Sequence, residues 1–398
     1  MRTTASRMRV ALAALCSVSC LPAPSAAAPN FSNYDRNGDG KVSLEEAGYK
    51  TDIFQRVDAN HDGFISPQEM AAHAADPRQN MPNMRPALPP TNSLGFKPLC
   101  DMASNDWYKG RNGGLYGDGR NTPPPAQLAA ALALAKQIQP LDAGGNPSSN
   151  GAIVLIGFGM SNTAQEFQRL EMLASRDAQK SPRVVVLNVA QGGQEARAWA
   201  QSDRPWLELN RILAANNIST AQVQAVWVKL ACAGPVRDGE FPKHTDIFKE
   251  LTIKALQELR RRLPNLRIAY LSSRIYAGYA VTALNPEPYA YEYGFAVRDL
   301  ILAQIKGMPE LNCDPARGAL KAPLLLWGPY LWADGVTPRK TDGMVWTHAD
   351  LGPDGTHPST TGTDKVAGML LTFLKTDPTA APWFLKPGEK PKDANRQK

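Results

Sequence analysis

The sequence predicts an α/β protein, a three-layer domain with a parallel five-stranded sheet and helices on both faces, preceded by a small all-α pair built on two loops rich in Asp, Asn and Gly. Two observations carry this. Short apolar, β-rich runs at residues 152–157, 183–189, 224–230, 267–272 and 323–327 alternate with longer amphipathic stretches. That alternation is the pattern of βαβ units, in which each crossover helix returns the chain to the same edge of the sheet and leaves the strands parallel. Upstream, residues 31–74 hold two copies of one Asp-x-Asn-x-Asp-Gly pattern, and a proline-rich stretch separates them from the rest.

At the N-terminus, Arg2, Arg7 and Arg9 precede an apolar run at residues 10–18 and small residues at 25–28. This is the layout of a secretory signal, so residues 1–27 leave the fold argument, with Ser25 and Ala27 in the two small-residue positions before the cut. Ser17-Val18-Ser19-Cys20 offers a second processing reading, in which Cys20 carries a lipid. The expectation is a secreted or periplasmic protein, or one lipid-anchored to the outer side of a membrane. No second stretch of the sequence approaches a transmembrane span. The formal charge of +7 falls to +4 once the three signal arginines are removed, and part of that sits in residues 386–398, so no nucleic-acid partner is expected. Cys100, Cys232 and Cys313 survive processing, an odd number that permits one disulfide and does not say which.

The first loop places oxygen side chains at positions 1, 3, 5, 9 and 12, namely Asp35, Asn37, Asp39, Ser43 and Glu46, with Gly40 at the sharp turn and Lys41 offering a backbone carbonyl. The second repeats the arrangement with Asp58, Asn60, Asp62, Ser66 and Glu69, with Phe64 in the carbonyl position. A hard cation of calcium's size takes six to eight oxygens, and a tight loop closed by a bidentate Glu supplies them from one segment. Val42 and Ile65, at position 8 of each loop, are expected to meet across a short two-stranded contact. The pair resembles the abbreviated tandem EF-hands of bacterial exported proteins, which implies calcium as cofactor and a structural or docking role. Its loops start only 23 residues apart, so residues 47–57 must serve as exit helix of one and entry helix of the other.

The domain limits follow composition: 30–74 for the loop pair, 75–98 for a proline-rich linker, 99–384 for the large domain, and 385–398 for a polar, lysine-rich tail expected to be disordered. Helices are expected at 126–138, 163–178, 206–215, 245–263, 291–305 and 361–375. In such sheets ligands bind outside the carboxyl ends of the strands. There the first strand is followed by Ser161, just ahead of Thr163-x-x-Glu166, a pattern that reads as a helix-capping box. After the fifth strand comes Asp354-Gly-Thr-His357-Pro358-Ser359, where a carboxylate three residues from an imidazole can fix its tautomer.

With these residues the large domain resembles the SGNH, or GDSL-type, hydrolases. The resemblance implies Ser161 as nucleophile and Asp354 and His357 as the rest of a triad, and it implies an oxyanion donor from Gly192 or Gly193 in Val189-Ala-Gln191-Gly192-Gly193. Two departures stand beside it. Gly159-Met160-Ser161 replaces Gly-Asp-Ser, and the asparagine expected after the third strand is absent from Lys229-Leu-Ala-Cys232, leaving Cys232 in its general place and Lys229 as a substitute donor. His348 and Asp350 form a second acid and imidazole pair that fits the family less well. Ser273, Arg274, Tyr276, Trp327, Tyr330 and Trp332 follow strand ends and, with Tyr108 and Tyr116, offer aromatic faces of the kind that stack on sugars. The expected function is a calcium-binding exported serine esterase acting on a small-molecule or polysaccharide ester, an ester-substituted carbohydrate above all. The alternative is a calcium-dependent binding protein whose hydrolase-like domain is catalytically weakened.

Overall fold

A computed structural model of the chain describes residues 31, 34–47, 54, 57–60, 62–75 and 89–389. The signal reading, the lipid site at Cys20, linker residues 76–88 and the tail from residue 390 onward lie outside the described residues. The chain divides into two compact units at the Gln79–Asn80 boundary.

In the first unit, strand β1 (Val42–Ser43) pairs antiparallel with β2 (Phe64–Ile65), Val42 opposite Ile65. Both side chains are buried with Phe54 and Val57 in a small core of their own, so the aliphatic residue at loop position 8 is the one that ties the two loops together. Helix α1 (Pro67–Ala75) follows β2, with proline at its first position, where a missing N–H costs nothing. Phe54 and Val57 are helical, but residues 48–53 and 55–56 lie outside the described residues, and most of the shared-helix reading falls there.

The second unit opens with a hairpin of β3 (Trp107–Tyr108) and β4 (Arg111–Asn112) and with helix α2 (Pro125–Ala135). Then come β5 (Ile153–Gly159), α3 (Ser161–Arg176), β6 (Val184–Asn188), α4 (Ala196–Gln201), α5 (Arg204–Ala215) and β7 (Val223–Lys229). The chain continues through α6 (Lys243–Arg262), β8 (Ile268–Leu271), α7 (Tyr289–Ile305), β9 (Leu324–Trp327), α8 (Thr360–Thr376) and α9 (Ala381–Phe384). All five predicted strands join one parallel sheet in the order β6-β5-β7-β8-β9. Every residue of β5 and β7 is buried, as expected of strands covered on both faces. On one face Leu155, Trp227 and Tyr270 meet Phe167 and Leu170 of α3 and Leu370 and Phe373 of α8. On the other, Phe158 packs against Trp199 of α4 and Trp206 of α5, and Phe248 of α6 packs on Tyr293 of α7.

The end of the segment read as linker is bonded to this domain. Thr91 N–H donates to the Gly278 carbonyl at 2.8 Å, while Leu94 and Gly95 N–H donate to the Asp334 carboxylate at 2.8 and 2.9 Å and the Ser93 hydroxyl adds a third bond at 2.5 Å. Leu385, placed by sequence in the tail, is buried and bridges to Lys180. Cys100, Cys232 and Cys313 are free thiols. Among the described residues no helix is long and apolar enough to cross a membrane.

Candidate active site and candidate metal centre

The strand order reverses at β5, whose neighbours are β6 and β7, and the crevice beyond the carboxyl ends at such a reversal is where open α/β sheets bind ligands. Ser161 stands there. The backbone approaches closely just before it, because a Cβ at Gly159 would lie 2.1 Å from the Lys229 carbonyl, a space only glycine leaves. Ser161 opens α3 in its first turn, with Met160 as an extended cap that makes no side-chain bond. The capping box expected at Thr163-x-x-Glu166 does not form, because the helix starts two residues earlier and both side chains are drawn downward. Thr163 donates to the Lys229 carbonyl at 2.7 Å, and Glu166 takes the Lys229 ammonium on both oxygens at 2.5 Å, with neither side chain exposed.

From the other end of the domain, the turn between β9 and α8 brings His357 to the serine. The Ser161 Oγ lies 2.8 Å from His357 Nε2, and His357 Nδ1 lies 2.5 Å from Asp354 Oδ2. The second oxygen of Asp354 accepts the N–H groups of Thr356 and His357 at 3.0 Å each, which closes the turn on the carboxylate. Burial opposes the charge on Asp354, but the His357 ring and these two N–H groups outweigh it and hold the carboxyl down at about 2. An ionised Asp354 against Nδ1 leaves the lone pair of Nε2 toward the hydroxyl.

The remaining sequence candidates divide. Gly192 and Gly193 are exposed on the loop after β6, and that loop is tied to β5 by Gln191 N–H donating to the Gly159 carbonyl at 3.1 Å. Lys229 is no substitute oxyanion donor, since its ammonium is spent on Glu166 beneath the site and burial pushes it down to about 8. Cys232 is wholly buried, and burial pushes its thiol up to about 12. His348 and Asp350 do not form a dyad: Asp350 accepts Thr347 N–H at 2.8 Å and pairs with Lys365 at 2.6 Å, while the His348 ring lies against Tyr279. Tyr276, Trp327, Tyr330 and Trp332 offer no stacking faces, because each is at most 5% exposed. Their polar tips are spent inside the fold, Trp332 on Glu287 and Tyr276 on the Thr91 carbonyl. Tyr116 is buried too, and the exposed ring of that region is Trp107, at 66%. Sequence reasoning did not single out Asn162, Asn285 or Thr356, whose bonds surround the triad.

The two loops of the first unit fold alike. Glu46 accepts Arg36, Asn37 and Ser43 N–H and the Ser43 hydroxyl, and Glu69 accepts Ala59, Asn60 and Ser66 N–H and the Ser66 hydroxyl. The Ser43 N–H, and next its hydroxyl, hold the Glu46 carboxyl below its usual range. Asp35 and Asp58 each accept the N–H of the turn glycine, Gly40 or Gly63, whose φ values of +82° and +86° suit glycine alone. The Lys41 ammonium sits 5.0 Å over the Phe64 ring, so these two side chains face one another. Among the described residues no three Asp, Glu, His or Cys side chains converge as a metal-holding group. The donor set nevertheless fits calcium: it is all oxygen, drawn from carboxylates, Asn amides and carbonyls. Asp58 is only 5% exposed, and its Oδ1 is buried without a hydrogen-bond partner, a state that a bound cation would relieve.

The EF hand family matches residues 31–46 and 51–72. That match implies calcium binding. No curated protein matches the chain. Among solved structures, the protein YxiM of Bacillus subtilis is 15% identical, with 58% of this chain and 57% of that one covered and a TM-score of 0.32. A salicylyl-acyltransferase from a tetracycline biosynthetic pathway is 17% identical, with 59% and 58% covered and a TM-score of 0.32. The chain spans less than two thirds of the length of either.

Proposed function

We propose that this protein is an exported serine ester hydrolase of SGNH type that carries a calcium-binding EF-hand pair. The observation that carries the reading is the line from Ser161 Oγ through His357 to Asp354, with spacings of 2.8 and 2.5 Å. Ser161 Oγ attacks the ester carbonyl as its proton passes to His357 Nε2, and the alcohol leaves with that proton. Water then repeats the steps on the acyl-serine, with His357 as base. The negative charge on the carbonyl oxygen is met by backbone N–H groups, that of Ser161 at the helix start and that of Gly192 or Gly193. In the first unit Asp35, Asn37, Asp39, Lys41, Ser43 and Glu46, and Asp58, Asn60, Asp62, Phe64, Ser66 and Glu69, are the ligand positions. Of the rings on which an ester-substituted carbohydrate substrate rested, Tyr116, Tyr276, Trp327, Tyr330 and Trp332 are buried and Tyr108 is half-buried, so it is ester chemistry that the site supports best.

A fluorophosphonate probe and a short activated ester test the reading on the full chain. Labelling confined to Ser161, with turnover that vanishes in Ser161→Ala, is the expected result, and undiminished turnover in that variant would sink it. Cys232, in the place of the family's asparagine, favours the second reading of a calcium-dependent binding protein with a weakened hydrolase-like domain. Neither labelling nor turnover in the wild type is the outcome that selects it.

A further inference from the structure

The carbonyl of Thr356, the residue before His357, is gripped from two sides. Asn162 Nδ2, beside Ser161 in the first turn of α3, donates to it at 2.9 Å. Arg274 Nη2, from the segment after β8, donates to it at 3.3 Å. Arg274 is in turn held by its Nε on Asn285 Oδ1 at 3.1 Å, and Asn285 Nδ2 donates to the Cys232 carbonyl after β7 at 3.1 Å. Asn162, Arg274, Asn285 and Thr356 are at most 4% exposed. One chain of bonds therefore joins the segments that follow β5, β7, β8 and β9. A guanidinium taken out of water is expensive, and here it spends its directed N–H groups on uncharged oxygens of two loops. A carbonyl has two lone pairs, and the pair of donors at Thr356 fixes the direction from which the next residue leaves.

We propose that Asn162 and Arg274 are positioning residues, which act through the Thr356 carbonyl to set the His357 ring against the candidate nucleophile. The inference rests on the reading of Ser161 and His357 as a catalytic pair, and its test has one readout that does not. Misplacement of a catalytic group by about 1 Å costs roughly 100-fold in rate. Asn162→Ala and Arg274→Lys are each expected to slow fluorophosphonate labelling of Ser161 by roughly 10- to 100-fold, measured well below the unfolding temperature. The double variant is expected to lose no more than the worse single one, because both act on one carbonyl.

The second readout is the proton NMR signal of the His357 imidazole bonded to Asp354, assigned by its loss in Asp354→Asn. It is expected to shift or broaden in both single variants. Folded variants that keep the wild-type labelling rate and the wild-type signal overturn the proposal, as do losses that add in the double variant. A wild type that never labels, but whose His357 signal moves in the variants, overturns the esterase reading and upholds the positioning one. Should Arg274→Lys fail to fold, Asn162→Ala, which removes no charge, carries the test alone.

Discussion

Asp354 keeps its charge although its carboxylate is two-thirds covered, because three donors from its own turn face it. Its carboxyl titrates lower in the folded chain, at about 2, than in an unfolded one, at about 3.9. A depressed carboxyl contributes stability that is present above the unfolded value and is lost as pH falls through the folded one. Urea unfolding of the wild type should therefore show a loss between pH 4 and 2, and that part of the curve should flatten in Asp354→Asn. The same turn ranks the two partners of Ser161. In the proposed mechanism the imidazole carries the proton while the carboxylate only orients it, so His357→Ala should lower kcat by roughly 10⁶-fold and Asp354→Asn by roughly 10⁴-fold, in steady-state ester hydrolysis. These three residues were legible in the sequence because strand ends and a short D-x-x-H turn leave a pattern. Asn162 and Asn285 are bonded to carbonyls far along the chain, and such bonds leave none, while Arg274 was legible only as a residue that follows a strand end.

Helix α3 and strand β7 are joined by a buried ion pair, Glu166 with Lys229. Removing one partner of such a pair strands the other charge in the interior, so Lys229→Met should cost about 3–5 kcal/mol in denaturant unfolding. Pairing it with Glu166→Leu should recover most of that loss, since matched apolar side chains commonly replace a buried pair without penalty. Were the double variant to remain as unstable as the single one, the pair would owe its presence to something other than mutual compensation. The elements themselves were readable: uninterrupted apolar runs marked the strands, and amphipathic stretches marked the helices to within a few residues. What misled was Thr163-x-x-Glu166, which has the letters of a capping box. The letters do not say whether a glutamate reaches back to its own backbone or down to a lysine 63 residues away.

For the molecule as a whole, the division into two compact units makes calcium a question about the first of them. Glu46→Gln combined with Glu69→Gln should abolish calcium binding by calorimetry, because each change weakens the bidentate ligand that closes a loop. At a free concentration of 100 times Kd, calcium should stabilise that unit by roughly 2.7 kcal/mol, and a chelator should remove this while leaving ester turnover unchanged. Loss of turnover with the chelator would mean that the two units share a function. The reach of the large unit was underestimated from sequence, since prolines and polar residues at 75–98 read as linker while Ser93, Leu94 and Gly95 are held by Asp334, some 240 residues on. The lone exposed indole supplies an optical consequence. Trp107 is 66% exposed on the β3–β4 hairpin, whereas the other seven tryptophans are at most 5% exposed. Iodide should therefore quench only a red-edge fraction of the emission, and that fraction should vanish in Trp107→Phe, which gives the native chain a built-in fluorescence reporter of what approaches the hairpin.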